Sequence, residues 1–216
     1  MKQPVLLLTG FEPFGGESIN PSWEVCAALQ GEPLDGLRIE ALRLPCVFGA
    51  ALELLDAGLA RHAPALVLQL GQAGGRPDFT LERVAINVDD ARIADNAGAC
   101  PVDQPVVAGG PAAYFSTLPI KAMVAALQDA GLPASVSQSA GTFVCNHVFY
   151  GLMHRLATRS GVRGGFMHLP LLPEQAARQR GAPSLPLATQ VEAVRLALRT
   201  AWRTREDLRV GGGAES

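Results

Sequence analysis

ASVSQSAGTFVCNHVFYGLMHRLATRSGVRGGFMHL, residues 134–169, decides how the chain is read. Residues 134–138 and 164–169 have the length and apolar content of strands, and residues 144–158 between them carry apolar side chains at helical spacing. Gly141 permits a tight turn from the first strand into the helix. Strand, helix and strand in that order predict a crossover between parallel strands. With parallel strands, the start of the helix and the end of the second strand fall on the same side of the sheet. Cys145 and His168, far apart in sequence, then meet at that rim.

Outward from this unit the alternation continues. Residues 4–9, 37–43 and 65–70 read as strands, and residues 21–30, 47–62, 119–130 and 187–204 as helices. The pattern predicts an α/β fold whose mostly parallel central sheet is covered on both faces. The last helix shows the layering best: Val191, Val194, Leu198 and Trp202 form one stripe, with Arg195, Arg199 and Arg203 away from it. Residues 72–118 interrupt the alternation. They are rich in Gly, Pro, Asp and Asn, with a strand-like piece at 79–88, and predict a hairpin or loop excursion. The expectation is a single domain over residues 1–210 followed by a disordered tail, 211–216.

Composition narrows the function. With 216 residues, 48% hydrophobic and 18% charged, the chain is long and apolar enough to bury a sizeable core. Lys and Arg are scattered and the net charge is -2, which argues against nucleic acid or an anionic membrane as partner. No apolar run reaches membrane-spanning or signal-peptide length, so the reading is a soluble cytoplasmic protein. Four cysteines without a C-x-x-C pair argue against a disulfide framework, and His147 and His154 lack metal-ligand spacing. No metal is expected.

Ligands of open α/β sheets bind at the carboxyl ends of the strands. There the chain presents Thr9–Gly16, Gly71–Arg76, Ser139–Cys145 and His168–Pro170. In the first turn of its helix, Cys145 would have unpaired backbone N–H groups and the positive dipole end beside it, which lower a thiol pKa and offer donors to an oxyanion. His168 within reach would take the thiol proton and return it to a leaving amine. The competing readings are a small buried thiol and a hydrogen-bonded structural histidine. Alternation along 79–88 puts Glu82 on the face of Val84, Ile86 and Val88, where a carboxylate needs a partner: an imidazole N–H, Arg83 or Arg92. Phe11, Phe14 and Phe143 either line an apolar pocket or pack beneath the rim loops. Neither glycine loop fits a nucleotide-binding pattern.

At these residues the sequence closely resembles the pyrrolidone-carboxylate peptidases, or type I pyroglutamyl peptidases. The resemblance is carried by Thr9–Gly16 with Asn20-Pro21, by Gly71–Arg76 running on to Glu82–Asn87, by Ser139–Asn146, and by Gly165–Pro170 with Pro173–Gln175. It implies a three-layer α/β/α sandwich and a Cys-His-Glu triad at Cys145, His168 and Glu82. It further implies that Phe11, Phe14 and Phe143 enclose a lactam ring, that Asn20 and Gln72 orient the pyroglutamyl group, and that Arg92 with the Cys145 backbone N–H serves the oxyanion. The implied activity is removal of an N-terminal pyroglutamyl residue from capped peptides through a thioester, with no cofactor. A homo-oligomer, a tetramer in bacteria, is implied as well.

Two other functions would use the same residues. A phosphate-dependent or nucleotide-handling hydrolase or transferase would use the glycine loops as anion cradles and survive thiol alkylation. A binding module for capped peptide ends would lack turnover.

Overall fold

The computed structural model describes residues 3–213. In chain order its elements are β1 (Val5–Phe11), α1 (Pro21–Leu29), β2 (Pro33–Leu34), β3 (Leu37–Leu44), α2 (Ala50–His62), β4 (Leu66–Gln72), β5 (Phe79–Glu82), β6 (Val84–Ile86), β7 (Ala113–Phe115), α3 (Ile120–Asp129), β8 (Ala134–Ser137), α4 (Val144–Leu156), β9 (Arg163–Leu169), α5 (Pro173–Ala176) and α6 (Leu187–Arg203). Seven strands form one sheet in the order β2-β3-β1-β4-β9-β5-β8, and β6 pairs with β7 in a separate hairpin. β3, β1, β4 and β9 are mutually parallel. The runs of the central strands β1 and β4, Val5-Leu6-Leu7-Leu8 and Leu66-Val67-Leu68, are continuously apolar because both faces of these strands are covered.

Two apolar clusters fill the two faces. Leu6, Leu8, Leu68 and Met167 pack against α1, α3 and α6, while Leu7, Val67 and Phe166 pack against α2 and α4. The mostly parallel, three-layer architecture read from the sequence is therefore present. On α6, Ala193, Val194, Ala197, Leu198 and Ala201 are buried, and Arg195 and Arg203 leave that stripe to meet Glu32 and Asp35.

The crossover between residues 134–138 and 164–169 is not the parallel one expected. β5 pairs antiparallel with β9 and parallel with β8, so β8 runs opposite to β9. An apolar pattern marks a strand without giving its direction. Here the direction is set by β5, which turns back from the end of β4 through residues 73–78 and serves as the template for β8. Ser137 pairs with Glu82, which pairs with Phe166, so β8 starts near the rim and ends level with the middle of β9. Residues 138–143 are enough to turn back, and α4 still starts at the carboxyl ends of β4 and β9.

The run 79–88 is not one alternating strand either. Arg83 changes sheets: its N–H donates to Ser137 O at 2.9 Å and its carbonyl accepts from Ser116 N at 2.9 Å. Glu82 thus belongs to the main sheet, whereas Val84 and Ile86 belong to the hairpin with β7, and the face shared by Glu82, Val84 and Ile86 does not exist. The excursion is pinned to α4 by Asn146, whose Oδ1 accepts from Ile86 N and whose Nδ2 donates to Ile86 O and Val88 O. In the tail, Gly212 O accepts from Arg83 at 2.6 Å; the expectation of disorder for residues 214–216 lies outside the described residues.

Candidate active site

Thr80 pairs with His168 and Glu82 with Phe166, so all four side chains project from the face that α4 covers. Glu82 and His168 are diagonal neighbours, and Nδ1 of His168 lies 2.7 Å from Oε1 of Glu82. Glu82 is 0% and His168 4% exposed. A carboxylate only accepts, so Nδ1 donates; in the neutral imidazole Nε2 then carries the lone pair. Oε1 also accepts from Nη1 of Arg76 at 2.8 Å, while Oε2 has no partner among the described residues.

Cys145 comes to the same face from above. Gly141 turns the chain with φ 79°, and Phe143 precedes α4 in extended conformation without a side-chain cap. His147 N donating to Phe143 O is the first helical bond, so the amides of Val144, Cys145 and Asn146 precede the ladder and point out of the helix start. The sulfur fits where β4 has no side chain: a Cβ built on Gly71 would stand 2.9 Å from Sγ of Cys145 and 2.7 Å from Cζ of Phe166. Gly71 pairs laterally with His168. Adjacent strands lie about 4.8 Å apart, so sulfur and imidazole are neighbours across one strand spacing. No hydrogen bond between them is present among the described residues, a common state before substrate tightens such contacts.

Burial pushes the Cys145 thiol well above its ordinary range; charge at Cys46 and Glu82 adds to the rise and Arg76 opposes it. The sequence expectation of a lowered pKa at the helix start is outweighed by desolvation. The resting group is a neutral thiol whose proton needs a base at the moment of attack.

His147 is nearer to Cys145 in sequence than His168, yet both its nitrogens are occupied. Gly49 N donates to Nε2 at 3.0 Å and Nδ1 faces Asp89 Oδ2 at 2.8 Å. That second imidazole–carboxylate pair clamps the excursion to α4, and His168 keeps the free nitrogen.

Around the rim, Phe14 and Phe143 stand 6.1 Å apart by ring centroids, and Phe48 meets Phe143 edge-on at 5.4 Å. Phe11 is 2% exposed and packs in the core. Both amide atoms of Asn20 serve local structure: Oδ1 accepts from Ser22 N and Oγ, and Nδ2 donates to Glu12 O. Gln72 ends β4, its Oε1 accepting from Gln175 Nε2 at 2.9 Å. Arg92 is exposed and lines, with Asp90, Ile93, Gly141, Thr142 and Phe143, a cleft of about 670 Å³. The floor of that cleft is fixed by Asp90 N donating to Thr142 O and Thr142 Oγ1 donating to Asp90 O.

Comparison with known proteins agrees with this architecture. The profile of a family described as Pyroglutamyl peptidase matches residues 4–204. The chain belongs to the pyroglutamyl peptidase family. It is 63% identical to a pyrrolidone-carboxylate peptidase of Cupriavidus taiwanensis, over 97% of this chain and 98% of that one. It is 60% identical to the protein of the same name from Klebsiella pneumoniae, again over 97% and 98%. A crystal structure of Bacillus amyloliquefaciens pyroglutamyl peptidase I superposes with a TM-score of 0.92 at 46% identity, covering 95% of this chain and 100% of that one. A mutant pyrrolidone carboxyl peptidase from Pyrococcus furiosus gives 0.90 at 41% identity, covering 92% and 98%.

In this member of the pyroglutamyl peptidase family, reading the sequence names Glu82 but not its cation. Arg83 and Arg92 are the expected alternatives to an imidazole; the structure supplies the imidazole and adds Arg76. Gly71 is also missed as a seat for the sulfur, although a glycine inside an apolar strand signals close approach of another group.

Proposed function

We propose that the chain hydrolyses the amide bond after an N-terminal pyroglutamyl residue, the group for which its relatives are named, with Cys145 as nucleophile, His168 as base and Glu82 as its orienter. The observation that carries this is the Glu82–His168 pair on the sheet face below the start of α4, with Sγ of Cys145 lodged beside it in the gap at Gly71. Nε2 of His168 takes the thiol proton as sulfur adds to the pyroglutamyl carbonyl. The oxyanion is met by the Cys145 amide and Arg92. Collapse breaks the C–N bond, and the imidazolium gives its proton to the departing amine, leaving a thioester. Water, deprotonated by the same imidazole, then releases pyroglutamate and the thiol.

Phe14 and Phe143 wall the flat lactam ring, with Phe11 supporting them from the core. Gln72 donates its amide N–H to the ring, and Asn20 acts through the loop it holds at Glu12. Pyroglutamate carries no free α-amine, so an apolar pocket accepts it, whereas a charged glutamyl terminus suffers desolvation there. Residues 1–210 act as one domain, supported by one sheet with a core on each face. The assembly is a homo-oligomer, a tetramer, and the location cytoplasmic; among the described residues no helix is long and apolar enough to cross a membrane.

The test is turnover of pyroglutamyl-aminomethylcoumarin by wild type, by iodoacetamide-treated protein and by Cys145→Ser. Wild type should turn over, and both modified forms should lose nearly all activity with unchanged circular dichroism. Phosphate-dependent turnover surviving alkylation would instead support the transferase reading.

A further inference from the structure

Arg76 bonds to the carboxylate of the site, to its strand and to the segment that leads to the nucleophile. It sits on the turn between β4 and β5, about a third exposed, and its Nη1 donates to Glu82 Oε1 at 2.8 Å, the oxygen that also faces His168 Nδ1. The same nitrogen donates to Thr80 Oγ1 at 2.8 Å and reaches Ser137 Oγ at 3.4 Å. Nη2 donates to the carbonyl of Ser139 at 3.2 Å, at the head of the strap that leads to Cys145. One guanidinium thus joins the carboxylate, the strand carrying it, and the segment that aims the nucleophile.

Glu82 has few other partners. It is fully buried, Oε1 accepts one further long hydrogen bond, from Thr80 Oγ1 at 3.5 Å, and Oε2 has no partner among the described residues. The charged and titratable groups near the pair are Arg76 on the turn before β5, Cys145 on α4 and, beyond it, Cys46 after β3. Asp78 and Asp89 are engaged elsewhere, by Ser135 and His147. An uncompensated carboxylate would hold a proton on the imidazole or take it for itself; either state removes the base. Resting on the peptidase reading above, we propose that Arg76 is a positioning residue of the reaction: it balances the Glu82 carboxylate that orients His168, and holds the strap that seats Cys145.

The test is the pH profile of kcat/KM with pyroglutamyl-aminomethylcoumarin for wild type, Arg76→Gln, Arg76→Met and Arg76→Lys. In the two neutral variants the unit binds a proton more readily, so the acid limb should move up by about one pH unit, the low end for a partly exposed partner. The displaced limb alone lowers the rate by up to about tenfold on the acid side, and loss of the Ser139 contact should lower the plateau as well. Arg76→Lys restores the charge and should return the limb to its wild-type position, with a lower plateau because an ammonium cannot span Glu82 and Ser139 together. Using two neutral variants guards against one that does not fold, judged by circular dichroism. A limb that stays in place in a folded neutral variant, or that moves equally in the lysine variant, overturns the proposal. Absence of turnover by the wild type would instead overturn the peptidase reading itself.

Discussion

Alanine at position 71 tests the seat of the sulfur. The added methyl would meet Sγ of Cys145 at 2.9 Å and Cζ and Cε1 of Phe166 at 2.7 and 2.9 Å, where ordinary contact begins near 3.4 Å. Relief therefore requires a shift of about half an ångström at Sγ and about 0.7 Å between the methyl and the ring, which is the less able to yield, so the β4 backbone must give as well. Phe166 is 1% exposed and held between Phe149 and His168 at centroid distances of 5.7 and 4.8 Å. Sulfur is the group that moves, off its seat on Gly71. Overpacking of this kind costs about 1–3 kcal/mol, which lowers Tm by roughly 2–10 °C in a chain of this size. A nucleophile misplaced by 1 Å loses on the order of a hundredfold in rate; half that distance should reduce kcat/KM by about ten- to a hundredfold. The assay pairs coumarin release with a thermal melt. A variant with kcat/KM within about twofold of wild type and an unchanged melt would mean that Sγ does not lodge against β4, and the geometric case for the nucleophile would fail.

His168→Ala should lower kcat/KM more than Glu82→Gln, because proton transfer has no substitute whereas orientation is partly retained by an amide; the opposite ranking in steady-state kinetics would reverse the assigned roles. Stability should fall in alkali. Burial raises Cys46 from 9.0 to about 12 and moves Cys26 and Cys145 the same way, so above pH 9 the unfolded chain releases protons that the folded one keeps. Each such thiol then subtracts about 1.4 kcal/mol per pH unit, and Cys46→Ala should flatten the decline of the urea midpoint by about a third. Asp95 works at the acid end: burial raises its pKa, but N–H donation from Phe48, Ala99, Ala97 and Gly98 outweighs that and lowers it. Its contribution is present above the carboxylate's ordinary value of 3.8 and lost below, so Asp95→Asn should weaken the Phe48 loop at neutral pH and reduce the loss on acidification, measured by hydrogen exchange at that loop.

The layers were legible because apolar period and segment length are local properties, and each long helix lies within a few residues of its expected place. Direction was not, because β8 takes its orientation from β5, a partner distant in sequence. The face of Glu82 was misread for a related reason. The apolar-polar alternation continues across Arg83 although the hydrogen bonds change sheets there, and side-chain spacing carries no trace of the change. Cys145 and His168 could be found from the ends of their elements, and Glu82 from the resemblance. Arg76 and Gly71 could not, since a guanidinium folding back over a turn and a missing Cβ beneath a sulfur depend on tertiary contact.

The switch of sheets at Arg83 makes the region from Val84 to Phe115 a cassette. Its ties to the body lie on α4 and the rim loops: the backbone relay at the entry, the side chains of Asn146, His147, Tyr150 and His154, the clasp between Asp90 and Thr142, and Asp95 and Asn96 bound to the loops at Phe48, Cys46, Glu12 and Pro13. Residues exchanged or inserted between those ties would remodel the cleft at Asp90, Arg92 and Ile93 without shifting the register that aligns Glu82 with His168. Selectivity for the second residue of a capped peptide can therefore diverge while the chemistry stays put.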